Sequence, residues 1–412
     1  MGDLQNEVEV PRFFICPISL EIMRDPVTLS TGITYDRDSI EKWLFSQKND
    51  FCPVTKQVVV DIDLTPNHTL RRLIQSWCTL NASLGVERFP TPRPSISKTD
   101  IIKLLKESKS PHLQMNSLKR LKTIVSENEK NKRLMESVGA TDYLTTILNN
   151  MFNDTNAMTS SSPAGEVTAA DEALSILCHL KLSKTGLKSL FGKTGDFVET
   201  LTRVMQRATS YDSRAYAVML LKSMFEVAEP MQVTSLDPKF FMELTQILKD
   251  QVSQKATKAT LKLLINVCPW GRNRIKAAEA GVVRVLIDTL LDCTEKRVLE
   301  MVMIVLYEVC QCAEGRADLL KHEGGLAVVS KKIFRVSPVA SERAVRILYS
   351  VAMYSGNARV VQEMLEVGVV EKLLLVLQVD CGSKMKEKAR EILKVNSRVW
   401  KKSPCVIYDL GT

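Results

Sequence analysis

The alternation of apolar and polar positions changes character about a quarter of the way along the chain. From about Thr99 onward apolar residues recur at helical spacing, as in Leu299, Val302, Leu306 and Val309, which fall on one face of a helix. Upstream, short runs alternate with turn residues. Asp25-Pro26-Val27 enters a strand, Ser30-Thr31-Gly32 makes a turn, and Ile33-Thr34-Tyr35 returns as the partner strand. Asp38 with Glu41 fits a capping box for a helix whose apolar side is Ile40, Trp43 and Leu44. Asn67 is placed to cap a closing helix with Leu70, Leu73, Ile74 and Trp77 on one face.

The helical part repeats. Gly281 is followed by Val283, Leu286 and Leu290, Gly324 by Leu326, Val329 and Ile333, and Gly368 by Val370, Leu373 and Leu377, at intervals of 43 and 44 residues. Gly195 lies two such intervals before Gly281, so a degenerate unit is expected near Pro238, with Phe240, Leu244 and Leu248 as its apolar face. Gly139 heads an earlier unit. Each glycine is expected to permit a tight interhelical turn with positive φ. A helical period in the low forties is that of armadillo or HEAT arrays, in which each unit's open apolar face is covered by the next.

These textures divide the chain into an acidic lead (1–11), a front domain (12–85), a linker (86–98), a repeat domain (99–400) and a tail (401–412). The linker centres on Arg88-Phe89-Pro90-Thr91-Pro92-Arg93-Pro94, whose prolines favour extended backbone. Asn153 to Thr168 is polar and small, and reads as a mobile loop. The fold class is therefore mainly α: a small α+β front domain followed by an armadillo-type α-solenoid.

Composition narrows function by exclusion. At 412 residues, 45% hydrophobic and 25% charged, the chain has the make-up of a multidomain soluble protein. No apolar run is long enough for a membrane span. Asp3, Glu7 and Glu9 do not suit a secretory signal, and Asn6 stands where a myristoylated Gly2 usually has Ser or Thr downstream. The net charge of +9 is spread along mixed-sign helices with no reading motif, so no nucleic-acid partner is expected. Ten scattered cysteines read as small hydrophobes in a reducing cytosol, with nuclear or peripheral membrane association as alternatives. No GxSxG, HExxH or phosphate-loop pattern is present, and no cofactor is expected.

Cys16-Pro17 and Cys52-Pro53 invite a zinc reading. Residues 12–80 hold only Cys16, Cys52, Cys78 and His68 as soft ligands, with no CxxC pair, far short of two tetrahedral sites. The expectation is a front domain without metal, its two loops held by packing and by charged pairs among Glu21, Asp25, Asp36, Arg37 and Lys56. No base or histidine stands beside Cys16 in the sequence, so it reads as a buried loop residue, not a nucleophile.

Ile15-Cys16-Pro17-Ile18, Asp25-Pro26-Val27, Gly32-Ile33-Thr34-Tyr35-Asp36-Arg37, Trp43-Leu44, Cys52-Pro53-Val54-Thr55 and Pro66-Asn67 together resemble the U-box family, a zinc-free relative of the RING shape, in order and spacing. With the repeats, nearly the whole chain resembles the immune-response branch of plant U-box ligases. That resemblance implies ubiquitin-protein ligase activity without a covalent intermediate, in plant defence or stress signalling. The family docks a ubiquitin-charged conjugating enzyme between two loops and a central helix. Here that implies Ile15 and Pro17 on the first loop, Trp43 on the helix and Pro53 on the second, an apolar cluster with an aromatic anchor. Lys56 stands at the family's basic position, frequently Arg, which contacts enzyme and ubiquitin and favours one reactive pose. Cys16, Asp25, Asp36, Arg37, Cys52 and Asn67 are the structural positions. The resemblance also implies self-association through the front domain, and the repeats are expected to hold a protein substrate. An import receptor fits poorly: of four tryptophans only Trp270 lies well within the repeats, and Asn266 precedes it, the reverse of that ladder's order.

Overall fold

The computed structural model describes residues 10–46, 49–59, 63–82, 96–153, 167–192, 196–207 and 210–400. The lead with Gly2, the proline-rich run 88–94, most of the polar loop, Gly195 and the tail lie outside the described residues. The chain forms two compact units, residues 1–140 and 141–412.

In the first unit, β1 (Pro26–Thr28) is the centre of a three-stranded antiparallel sheet. β2 (Thr34–Asp36) pairs with it in the register Val27 to Tyr35, and β3 (Thr65–Pro66) in the register Val27 to Pro66. Gly32, at φ +82°, makes the turn between β1 and β2, as its place in Ser-Thr-Gly suggests. Proline suits β3 because an edge strand can forgo one donor. α1 (Arg37–Glu41) follows β2 directly and runs into a wider turn over Lys42–Ser46, and α2 (His68–Leu80) closes the domain. Asn67 caps α2 as expected, its Oδ1 accepting from Leu70 N at 3.0 Å. The α1 capping box does not form. Asp36 occupies the N-cap, which leaves Asp38 inside the first turn and buries Glu41. The core gathers Phe14, Met23, Val27, Tyr35, Ile40, Leu44 and Ile74. Leu73 departs from the expected face and is 52% exposed.

α3 (Lys98–Glu107), α4 (Pro111–Glu127) and α5 (Glu129–Ser137) complete this unit. α3 opens on a reciprocal capping box between Ser97 and Asp100.

The second unit begins with α6 (Ala140–Asn153) and α7 (Ala169–Leu180), then repeats a three-helix unit five times. These are α8 (Lys184–Ser189), α9 (Asp196–Arg207) and α10 (Tyr211–Phe225); α11 (Pro230–Thr234), α12 (Pro238–Lys249) and α13 (Gln254–Val267); and α14 (Asn273–Glu279), α15 (Val282–Asp292) and α16 (Lys296–Val309). Then come α17 (Ala313–Lys321), α18 (Gly325–Lys332) and α19 (Pro338–Tyr354), and α20 (Ala358–Glu366), α21 (Val369–Gln378) and α22 (Ser383–Val395), with α23 (Ser397–Trp400) as a final turn. The third helices start at 211, 254, 296, 338 and 383, which reproduces the period in the low forties. They pack side by side in chain order, from α7 through α22. The degenerate unit is α11–α13, where Pro238 opens α12 and Phe240, Leu244 and Leu248 are buried.

Gly281 and Gly368 adopt φ near +75°, as the repeat argument required. Gly324 does not; its φ is −100°. Its neighbour Gly325 carries the constraint instead, because an added Cβ would lie 2.2 Å from the Leu319 carbonyl oxygen. Polar clamps tie successive units together. Asn273 donates to Val233 O and Val267 O at 2.9 Å each, and in the next unit Arg316 donates to Cys310 O at 3.2 Å and to Ser355 Oγ at 3.1 Å.

Candidate functional site

Two loops of the front domain share one design. The first runs Cys16-Pro17-Ile18-Ser19-Leu20-Glu21 and the second Cys52-Pro53-Val54-Thr55-Lys56-Gln57. In each, the cysteine N–H donates to the carbonyl five residues on at 2.8 Å, and the N–H four residues on donates back to the cysteine carbonyl at 2.9 Å. A single antiparallel bridge closes each base, Ile15 with Ile22 and Phe51 with Val58. The fourth residue after each cysteine is left-handed, Leu20 at φ +59° and Lys56 at φ +60°. A side chain bearing a Cβ is strained there, and the strain is held by the two flanking hydrogen bonds.

Neighbouring residues of β2 hold both loops. Asp36 N donates to Cys16 Sγ at 3.3 Å. The Tyr35 hydroxyl lies 3.0 Å from Cys52 Sγ and accepts from Val54 N at 3.3 Å. Thr31 Oγ1 also donates to Cys52 Sγ, at 3.4 Å. Cys52 Sγ thus gathers two side-chain partners and Cys16 Sγ a backbone donor, both in fully buried surroundings. Burial pushes the Cys52 thiol up, but donors from Thr31, Thr55 and Tyr35 outweigh it and bring the thiol down to about 6. The Tyr35 phenol is driven the opposite way, by burial and then by its bond to Cys52. Cys52 is wholly inaccessible, so its acidity stabilises the loop and offers no nucleophile to solvent. Among the described residues no three His, Cys, Asp or Glu side chains gather as metal ligands.

Charged groups tie the sheet to the helices. Asp25 receives Arg37 Nε at 2.5 Å and also pairs with Arg71 of α2. Asp36 Oδ1 accepts from Arg24 N at 2.7 Å and Asp25 N at 2.9 Å. Of the five candidates for this network, Asp25, Asp36 and Arg37 belong to it through their side chains. Glu21 and Lys56 hold their loops through the backbone, by the Glu21 carbonyl and the Lys56 N–H. Arg71 was not foreseen, because it is 46 residues from Asp25 and only the fold brings them together.

Of the expected docking residues, Pro17 and Lys56 are exposed, whereas Ile15, Trp43 and Pro53 are half-buried. Ile15 is not part of the domain core; Trp43 packs partly against it. Trp43 Nε1 donates to Phe51 O at 3.0 Å, and their rings meet edge to face at 5.6 Å. Lys56 Nζ stands 5.4 Å from the centre of the same Phe51 ring, a cation–π contact. Phe51 thus gathers Trp43 and Lys56 into one cluster. The first loop, which carries Ile15 and Pro17, is fastened to Asp36, next to the Tyr35 that holds the second loop. The exposed Leu20 and Val54 had a signal in the sequence: the near-repeat of Cys-Pro-Ile-Ser-Leu-Glu-Ile as Cys-Pro-Val-Thr-Lys-Gln-Val.

Comparison with known proteins adds what geometry alone leaves open. The U-box domain family model matches residues 10–83, and the model described as "Plant U-box protein ARM repeat region" matches residues 99–410. The chain belongs to the plant U-box proteins with armadillo repeats. It is 56% identical to E3 ubiquitin-protein ligase PUB23 of Arabidopsis thaliana, over 98% of this chain and 97% of that one. Identity to E3 ubiquitin-protein ligase PUB22 of the same plant is 54%, over 98% and 99%. Among solved structures, that from "A conserved phosphorylation switch controls the interaction between cadherin and beta-catenin in vitro and in vivo" is similar at a TM-score of 0.58 and 13% identity. It covers 80% of this chain and 57% of that one, and shows a shared fold. Among the described residues no helix is long and apolar enough to cross a membrane.

Proposed function

We propose that the front domain docks a ubiquitin-loaded conjugating enzyme on its two matched loops and orients the thioester for attack by a substrate lysine. The chain is an E3 ubiquitin ligase of the U-box class, with armadillo repeats. What carries the docking reading is the Trp43–Phe51–Lys56 cluster beside two loops fastened to consecutive residues of one strand. An aromatic anchor with one exposed and one half-buried proline suits a small hot spot, and a cation on a rigid loop suits restraint of a mobile donor. With both loop sulfurs buried, transfer runs directly from the conjugating enzyme.

Ile15, Pro17, Trp43, Pro53 and Lys56 form the docking surface, and the armadillo repeats hold the protein substrate in the cytoplasm. A defence or stress role follows from the branch the chain resembles. Self-association uses the front domain, where Leu73 and Leu80 are exposed on α2; light scattering across a concentration series tests it. The test of docking is a reconstituted reaction with activating enzyme, a panel of conjugating enzymes, ubiquitin and ATP. Wild type should build ubiquitin ladders that Trp43→Ala and Ile15→Ala lose while staying folded. Ladders of equal intensity from all three would remove these residues from the site.

A further inference from the structure

In the second unit, α7, α10 and α13 lie side by side, and their exposed edges form a groove of about 550 Å³. Its floor is apolar, with Leu177, Met219 and Ala259 among its residues. Its rim is lysine: Lys181, Lys222, Lys255, Lys258 and Lys262. Among the residues lining it, Glu226 is the one carboxylate, and it pairs with Lys222 at 2.8 Å. Lys258 reaches away to Glu295, at 2.6 Å. Five cations against one anion around an apolar floor is an imbalance; at other places in the same unit cations meet acids one to one, as Arg214 meets Asp250, Arg274 meets Glu308 and Arg346 meets Glu342.

The spacing is informative. Lys255, Lys258 and Lys262 share one side of α13 and, at 1.5 Å per residue, span about 10 Å of helix. An extended peptide covers that length in about three residues and points alternate side chains the same way. Carboxylates at alternate positions therefore meet the row, while an apolar side chain between them reaches the floor. Lys222 on α10 and Lys181 at the end of α7 close the far side.

We propose that this groove binds an extended acidic segment of a protein, with Asp or Glu flanking an apolar residue, and that it recruits the substrate to be ubiquitinated. The recruitment half rests on the ligase reading; the binding half does not. Surface cations act by steering and by contact, so the affinity is salt-sensitive and concentrated in the lysines least engaged with neighbouring acids.

The test is fluorescence anisotropy on the full chain, which needs no conjugating enzyme, ubiquitin or ATP. A failure of ligase activity leaves this readout untouched. The probe is a fluorescein-labelled twelve-residue peptide of alternating Glu and Leu. Wild type should bind it, more weakly as salt rises from 50 to 300 mM, and should ignore the Lys–Leu counterpart. Lys255→Glu with Lys262→Glu should weaken binding at least tenfold, and Lys255→Gln with Lys262→Gln by a smaller factor, with helical circular dichroism unchanged. Equal binding by the charge-reversed and wild-type proteins would overturn the site. So would single-stranded DNA or anionic vesicles of matched charge binding as tightly with the same lysine dependence, because the groove would then select charge and not an acidic peptide.

Discussion

Tyr35→Phe is the sharpest probe of how the front domain is built. The ring is fully buried, so phenylalanine keeps the packing and removes one oxygen. That oxygen accepts from Val54 N at 3.3 Å and bonds Cys52 Sγ at 3.0 Å. A net hydrogen bond contributes about 1 kcal/mol, and a buried group left without a partner costs about 1–3 kcal/mol. Val54 itself is exposed and can turn to water, and Cys52 keeps Thr31 at 3.4 Å. The expected loss is therefore about 2 kcal/mol. For a domain of this size that lowers the melting midpoint by roughly 8–16 °C. The assay is calorimetry on the full chain with hydrogen exchange of peptides covering 49–59. The second loop should lose protection while α10, α13 and α16 keep theirs, and ubiquitin transfer should fall several-fold at temperatures where the protein remains folded. An unchanged midpoint with unchanged exchange over 49–59 would refute the claim that the Tyr35 hydroxyl fastens this loop.

Lys56 sits left-handed, so Lys56→Gly relieves the backbone while deleting the charge; discharge of preloaded conjugating enzyme should slow although the domain is at least as stable, and Lys56→Arg should match or exceed wild type. Gly281→Ala meets open space and should cost about 1 kcal/mol for its positive φ, whereas Gly325→Ala, 2.2 Å from the Leu319 carbonyl, should cost about 3 kcal/mol, both read from urea unfolding of the repeats. Burial holds the Glu41 carboxyl above its ordinary range. The folded state then retains this proton longer than the unfolded chain, so its contribution falls as pH rises above the ordinary carboxylate value. Glu41→Gln should therefore gain stability relative to wild type at pH 7.5, and the gap should shrink on acidification; a constant gap would show that this carboxyl does not titrate with folding.

The helical period and the glycine spacing were enough to read the repeats, because a solenoid unit is local in sequence and recurs. The β1–β2 hairpin and the Asn67 cap were legible from their local turn and capping residues, whereas the two-residue β3, half of it proline, carried no strand signal. Errors arose where a local signal had two readings. Asp38 and Glu41 carry the spacing of a capping box, but β2 delivers the chain into α1 two residues sooner and Asp36 takes the cap. Leu73 shares a helical stripe with Ile74, yet the small core takes only one of them. Gly324 aligned with the positive-φ glycines, while the close approach that needs glycine falls one residue later. Arg71 with Asp25 is a contact that only tertiary packing creates. The lysine groove is not legible in the sequence because only packing sets Lys255, Lys258 and Lys262 of α13 beside Lys222 of α10 and Lys181 at the end of α7.

The most direct test is single-turnover discharge of ubiquitin from a preloaded conjugating enzyme to free lysine, resolved on non-reducing gels. Wild type should accelerate discharge without ever carrying ubiquitin as a thioester, Cys52→Ser should retain measurable acceleration, and Trp43→Ala should lose it. A reducible ubiquitin adduct on the chain, or undiminished acceleration by Trp43→Ala, would contradict direct transfer from an enzyme docked on the two loops.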